Sequence, residues 1–462
     1  MQLSAIKLFR MVPSLMQAEK SCAFLLLMLL PVASQAVLTD SLTIGNAKAL
    51  ALAHAVTADP PGIDSIHYNP AGLARIKGRK QQIKILAGSF DIKLELGGYN
   101  ETRQALLDIA AIEADKLSSD GITKIIPEEE QERWFHNEAY QSTSKTEGAV
   151  VVLPGVGMID VPLLLGVLGG ASYSPQGTNI TFGTNVYTPL AAGFYRADDD
   201  PGRFMGQRLS FTLITYFSPS IAVQLTDTFA FGASLNFNYA GVGMELPFRS
   251  DHLGIIALPN LCDFVTNSEG VAGIPICENL WPYEVIGTLE FVVEKALTLG
   301  MNVGFLWDVK PWLTLGVVYQ SPVSMDMKGD FKWVNSDMWL DFLGSLTTQQ
   351  FIENGLDLIG IEGQEVVEGK AYLDMTMPDH FAIGMSLQLS TRFKLNMDYK
   401  FTRWSEWEAI PITFSQPIDL LAIAKLVQPK LAGPNYVTFP LGMKDTWNLA
   451  VGLEYQYNDR LA

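Results

Sequence analysis

The side chains best able to move protons near neutral pH are five histidines, His54, His67, His136, His252 and His380. They do not gather. No H-E-x-x-H pair stands ready for zinc, no G-x-S-x-G elbow for acyl transfer, and no Gly-rich phosphate loop. A hydrolase needs a nucleophile, a base and an orienting group close in space, and nothing here indicates such a set. The sequence is therefore not read as an enzyme, and it implies no metal and no cofactor. Cys262 and Cys277 share one predicted loop rich in Pro, Gly and Asn. The third cysteine, Cys22, lies in the N-terminal segment ahead of its apolar run; with it set aside, the even count in an exported protein favours a disulfide between Cys262 and Cys277 over two free loop thiols. The formal net charge is −17 and no basic stripe occurs, which argues against a nucleic-acid partner.

The elements that must position these residues are long strands. Residues 285–307 read VIGTLEFVVEKALTLGMNVGFLW. Val285, Leu289, Phe291, Val293, Leu297, Leu299, Met301, Phe305 and Trp307 take odd positions. Thr288, Glu290, Glu294, Thr298, Asn302 and Gly304 take even ones. A period of two gives one apolar face and one polar or small face. Soluble strands keep this for about five or six residues, whereas a bilayer is crossed by about 9–11 tilted ones. Lipid cannot hydrate an open sheet edge, so such strands belong in closed barrels. The pattern recurs at Leu209–Leu225, Phe229–Tyr239, Leu313–Tyr319, Phe381–Leu389, Phe393–Phe401 and Trp447–Tyr457. The odd-numbered apolar residues are predicted to face outward. Strand length and repetition set aside a soluble β-sandwich.

Tight turns are expected near Ser174–Asn179, Thr226–Asp227, Asp308–Pro311, Ser390–Thr391 and Asn458–Asp459. Long connections are expected near residues 99–147, 190–207, 247–284, 334–369 and 411–445. Pairing them gives ten or eleven strands. At the N-terminus, Lys7, Arg10 and Lys20 precede an apolar run from Ala23 to Leu30. Ser34-Gln35-Ala36 then offers small-residue cleavage, so residues 1–36 read as a secretory signal. Residues 37–79 do not read as strand. They hold an Ala-rich run and then Asn69-Pro70-Ala71, where Asn suits a helix N-cap and Pro the first helical position. Such a segment ahead of a barrel (residues 80–462) is a candidate plug.

Together these residues carry a resemblance. The run Ala47–Ala55, the Ala58-Asp59 step and Tyr68-Asn69-Pro70-Ala71-Gly72-Leu73 resemble the N-terminal hatch of the FadL/TodX family of outer-membrane transporters. Pro219–Val223, Gly316–Val323, Lys328–Phe331, Met377-Pro378-Asp379, Trp404-Ser405 and Lys444–Trp447 follow in the family's order. The family barrel has fourteen strands and ends on a strand closing with an aromatic residue. This chain stops at Arg460-Leu461-Ala462, so the expectation is a barrel truncated at its C-terminus.

What the resemblance implies is an all-β transmembrane antiparallel β-barrel of a Gram-negative outer membrane, monomeric, with the hatch inside the lumen. Its partners would be hydrophobic small molecules (long-chain fatty acids or aromatic hydrocarbons), outer-membrane lipid, lipopolysaccharide and the barrel assembly machinery. Asn69, Pro70 and Ala71 would gate. Solute would leave sideways near the third strand, where Gly183 and Pro189 are candidates for breaking the pairing. Lys444 and Arg249 are candidates to receive a carboxylate head group. The competing class is a structural or adhesive barrel without transport; a water-filled porin lacks an N-terminal plug. One expectation is directly measurable. In the exported chain Cys262 and Cys277 should take up alkylating reagent only after reduction, their Cα atoms lying about 4.4–6.8 Å apart.

Overall fold

The computed structural model describes residues 46–89, 91–116, 124, 126, 128–249, 281–346 and 361–457. Cys262, Cys277, His252, the signal at 1–36 and the last expected turn lie outside the described residues. The strands, in chain order, are β1 Gly78–Gly88, β2 Lys93–Glu95, β3 Thr143–Lys145, β4 Ala149–Leu153 and β5 Gly157–Val161. Next come β6 Leu164–Ser174, β7 Ile180–Tyr195, β8 Arg208–Phe217, β9 Ser220–Gln224 and β10 Phe229–Arg249. Then follow β11 Val285–Lys310, β12 Leu313–Gln320, β13 Val323–Asn335, β14 Val366–Met377 and β15 His380–Gln388. The series closes with β16 Phe393–Thr402, β17 Ala409–Phe414, β18 Ala432–Gly433, β19 Tyr436–Pro440 and β20 Thr446–Tyr455.

Among the described residues ten antiparallel passes form one sheet. They are β1, β6, β7, β8 with β9, β10, β11, β12 with β13, β14 with β15, β16 with β17, and β19 with β20. Short turns join them at one end, near the positions expected from sequence, and long connections at the other. Among the described residues the sheet's edges are β1 on one side and β20 and the short β18 on the other.

One compact segment, residues 46–77, touches the same face of pass after pass. Asp64 meets Lys84 of β1 and Asn185 of β7. Ile66 receives bonds from Ser234 of β10 and Asn302 of β11. Thr57 meets Asp398 of β16, and Lys48 pairs with Glu454 of β20. A sheet whose distant strands all reach one small body must curl around it. That face is the inner one.

The alternation does not keep one phase, and here the expectation that odd-numbered apolar residues face outward is corrected. In the lower part of β11, Leu297, Leu299, Met301, Phe305 and Trp307 point outward, while Thr298 and Asn302 are buried inside. In the upper part Leu289, Phe291 and Val293 are buried in the interior core, and Glu290 faces out. The cause is a β-bulge. Asn238 pairs with Thr298 and Ala240 with Lys295, so Ala296 and Leu297 together oppose Tyr239. One extra residue in a period-two element exchanges the faces. β7 does the same: Tyr187 and Leu190 are both buried, across an irregularity that holds Thr188 and Pro189. β8 carries its own irregularity at Tyr216, and Leu213 and Phe211 above it join the interior core. Other passes change phase where the strand breaks, at Ser321-Pro322 and at Pro378-Asp379.

The breaks lie at one level. Below it the outer face is apolar and the inner face polar. Above it Asp326, Lys328 and Lys332 of β13 and Glu368, Lys370 and Asp374 of β14 face outward, while Met325, Met327, Trp333 and Leu373 fill the interior. Lys295 pairs with Asp326 at 2.7 Å on this charged wall. The interior above the level is a true core. Phe291→Ala is therefore expected to destabilise the refolded protein by about 3–5 kcal/mol in a urea titration. Glu290→Ala, one position away on the outer face, should stay within about 0.5 kcal/mol.

Candidate functional site

Asn69 is fully buried at the centre of the inner segment. Its backbone is extended, and its side-chain oxygen accepts from the Ala71 amide at 3.2 Å. Pro70 occupies the first helical position of the turn Pro70–Arg75, as the sequence predicts. The Asn69 side-chain amide donates to the Thr57 carbonyl at 2.8 Å and to the Phe305 carbonyl of β11 at 3.1 Å. One side chain thus caps a turn, ties it to the preceding loop and ties both to the wall.

The wall makes room by having no side chains there. Gly232 pairs with Gly304 across β10 and β11, and Gly316 with Gly384 across β12 and β15. A Cβ on Gly304 would lie 2.0 Å from Asn69 Oδ1, and one on Gly232 would lie 2.3 Å from the Pro70 carbonyl carbon. On Gly316 it would meet the Thr57 oxygen at 2.3 Å, and on Gly452 of β20 the Leu52 Cβ at 2.6 Å. These glycines are a bare seat running across five strands.

Carboxylates hold the segment in that seat. Asp64 is 2% exposed and accepts from Lys84 at 2.6 Å, Gln82 at 3.0 Å, Asn185 at 3.0 Å and Asn46 at 2.7 Å. On the other side Asp398 Oδ2 accepts from the Val56 and Thr57 amides, both at 2.9 Å, and from the Thr57 hydroxyl at 2.7 Å. Asp59 bridges Lys48 at 2.7 Å and Lys394 of β16 at 3.0 Å. Charge-assisted bonds to backbone amides are the stronger kind, so this attachment is specific.

Directly above lies a cavity of about 110 Å³, at the level where the strands break. His54, Thr57, His67 and Tyr68 of the inner segment line it below. Asn236, Asn302, Gln320, His380 and Lys400 supply polar wall, and Leu213, Val323, Met377 and Trp404 supply the apolar part. His380 Nδ1 lies 2.8 Å from the Thr402 hydroxyl. The His67 ring packs between Tyr68 and Tyr187, at 4.9 and 4.7 Å between centroids. Lys400 is 5% exposed, so its ammonium sits in the wall and not in bulk water.

The head-group candidates lie elsewhere. Lys444 is exposed in the segment before β20. Arg249 ends β10, 3.4 Å from Glu138 and 3.9 Å over the Phe204 ring, beside a shallow groove of about 290 Å³. Neither lines the cavity; Lys400, on a strand face that alternates with Tyr399 and Phe401, does. Of the lateral-opening candidates, Gly183 is paired on both flanks, with Ser172 and with Ser220, so pairing is not broken there. Its role is space: a Cβ would touch Leu73 and Ile66 at 3.2 and 3.3 Å. Pro189 falls at the irregularity in β7 and lines the cavity. Nearby, the β6–β7 ladder stops at Gly169 opposite Val186, leaving Leu164–Leu168 of β6 and the upper part of β7 unpaired with each other.

Asp398→Ala would strand two buried amides, a cost of about 1–3 kcal/mol borne by the attachment and not by the sheet. A cysteine at Thr57 should then react faster with a bulky thiol reagent, with the barrel's heat-resistant migration unchanged.

Residues 28–462 match the family model described as outer membrane protein transport protein (OMPP1/FadL/TodX). Among solved structures the chain resembles a Pseudomonas aeruginosa FadL homologue, with a TM-score of 0.56 at 16% identity, over 90% of this chain and 78% of that one. It also resembles the Ralstonia pickettii toluene transporter TbuX, with a TM-score of 0.51 at 14% identity, over 88% of this chain and 82% of that one. No curated protein sequence matches significantly. With a curled antiparallel sheet, an apolar outer belt and a family match over nearly its whole length, the chain belongs to the FadL/TodX family of Gram-negative outer-membrane transporters of hydrophobic compounds.

Proposed function

We propose that this chain takes up an amphiphile with a long apolar tail and one anionic head, of the long-chain fatty acid type, and releases it sideways into the membrane. The observation that carries this reading is the cavity at the level of the strand breaks. Apolar interior lies above it and polar wall with the buried Lys400 beside it. A tail left in water costs about 0.8 kcal/mol per CH₂, so apolar side chains above the cavity lower the cost of a tail entering among them. A carboxylate reaching the cavity meets a cation and amide donors.

In this reading the inner segment is the gate. Its contacts with the wall are a set of hydrogen bonds and ion pairs over bare glycine and one apolar patch, Ile63, Ile66 and Leu73 against Tyr187, Ala222, Ala230 and Leu306, so it can move as a body. The unpaired stretch between β6 and β7, next to Pro189, is the way out. A bias of a few kcal/mol from a bound ligand would change the balance between closed and shifted states.

Two expected outcomes test this. Asn69→Ala removes a cap worth about 0.5–2 kcal/mol and two bonds that hold the turn. It should lower oleate uptake, as should Pro70→Ala, at unchanged outer-membrane abundance. Unchanged uptake in both variants would leave the turn as plain structure. Lys400→Met should weaken oleate binding by about 10–100-fold, the loss expected when a hydrogen bond to a charged group worth about 1.5–3 kcal/mol is removed. Toluene binding should be unaffected. Equal loss for oleate and toluene would remove the head-group role.

A further inference from the structure

The connection between β1 and β6 includes a hairpin, β4 with β5, that belongs to no pass of the barrel. It lies on the outer face. On β10 the inner residues are even-numbered, yet the hairpin covers Gly241 and Gly243, where a Cβ would meet Val152 and Met158 at 2.8 Å. The Ser210 hydroxyl donates to the Val150 carbonyl at 3.1 Å, and that same oxygen would be 1.9 Å from a Cβ on Gly193. Small residues on β7, β8 and β10 therefore hold the hairpin tightly against the wall.

Its other side has no cover among the described residues. From Gly148 to Ile159 there is no charged residue. Val156 at the tip is 67% exposed and Leu153 is 36% exposed. Asp160, at the base, is held by Arg208 at 2.8 Å. The tip points toward the apolar belt. The Gly155 amide donates to Glu294 Oε2 at 3.2 Å, and β11 enters the belt just beyond, at Leu297. Beside the tip the next strand, β13, turns charge outward: Lys328 stands opposite Glu294 in the β11–β13 ladder, with Asp326 and Lys332 on the same water-facing surface.

We propose that the β4–β5 hairpin is a lipid-docking element whose tip and outer side enter the acyl chains of the outer leaflet. Continuity with the belt favours lipid: Leu165 and Val167 of β6 are 73% and 71% exposed, directly after the hairpin in the chain. Size argues against a second copy of the chain. Two strands of 5 residues side by side present roughly 17 by 10 Å, far less than the about 800 Å² per partner of a stable interface. The proposal rests on the outer-membrane location and not on the transport reading.

The test uses the full chain in phosphatidylcholine vesicles containing a lipid with a diazirine midway along its acyl chain. After illumination, mass mapping should find lipid adducts on 151–161 as well as on 297–307, and none on 326–332. Leu153→Asp with Val156→Asp should lower the hairpin adducts several-fold and leave those on 297–307 unchanged. Adducts on 297–307 with none on the wild-type hairpin would overturn the proposal. So would chain-to-chain cross-links mapping to 151–161 in place of lipid adducts, which would make the hairpin a contact between copies.

Discussion

A β-strand offers one face to each side, and a strand longer than a membrane is thick meets two solvents on the same side. Lipid requires apolar residues outward; water above the lipid requires polar ones. The only cheap way to reverse faces in a period-two element is to add or remove a residue. In this chain the reversal is made by the bulge at Ala296-Leu297, the irregularities at Thr188-Pro189 and Tyr216, and the breaks before β13 and after β14. Because they lie at one level, the molecule is two stacked structures on one set of strands. The lower is polar inside and apolar outside, and the upper is the reverse.

Everything chemically interesting follows from that seam. The cavity is where the polar interior ends and the apolar interior begins, and it is lined by residues flanking the breaks, Pro189, Ser321, Pro378 and Thr402. The lower interior can be polar because the inner segment fills it with matching groups, Asp64 against Lys84 and Asn185, and Thr57 against Asp398. The upper interior can be apolar because methionine and aromatic side chains pack there, and the Trp333 indole N–H among them donates to Asn335 at 2.6 Å.

The fold was legible because the period of two is loud. Long alternating strands, tight turns at one end and long loops at the other could all be counted from residues. The Asn69 turn was legible for a local reason: cap, proline and small residues act within four positions. The phase reversal was not, because Leu289 and Leu299 are indistinguishable as letters, and a bulge leaves no residue of its own type. The glycine seat escaped for the opposite reason. Gly232, Gly304, Gly316, Gly384 and Gly452 lie far apart in sequence and become neighbours only through strand register. Lys400 was visible as one polar residue of a strand face, but its burial in a cavity wall depends on what packs against that face. Lys444 and Arg249 stand in or beside segments that read as loops, where a charge is cheap and therefore uninformative.

The glycine seat has a mechanical consequence. Side chains that interlock must change rotamer before two surfaces can slip, and each change adds a barrier. Bare backbone has no such knobs. Along those glycines the inner segment therefore rests on something closer to a bearing than to a lock, while pins at Asp64, Asp59, Asp398 and Asn69 and the packing of Ile66 and Leu73 against Tyr187 and Leu306 hold it in place. Its resistance to displacement is concentrated in those pins and that one apolar patch, and along the glycines friction is low.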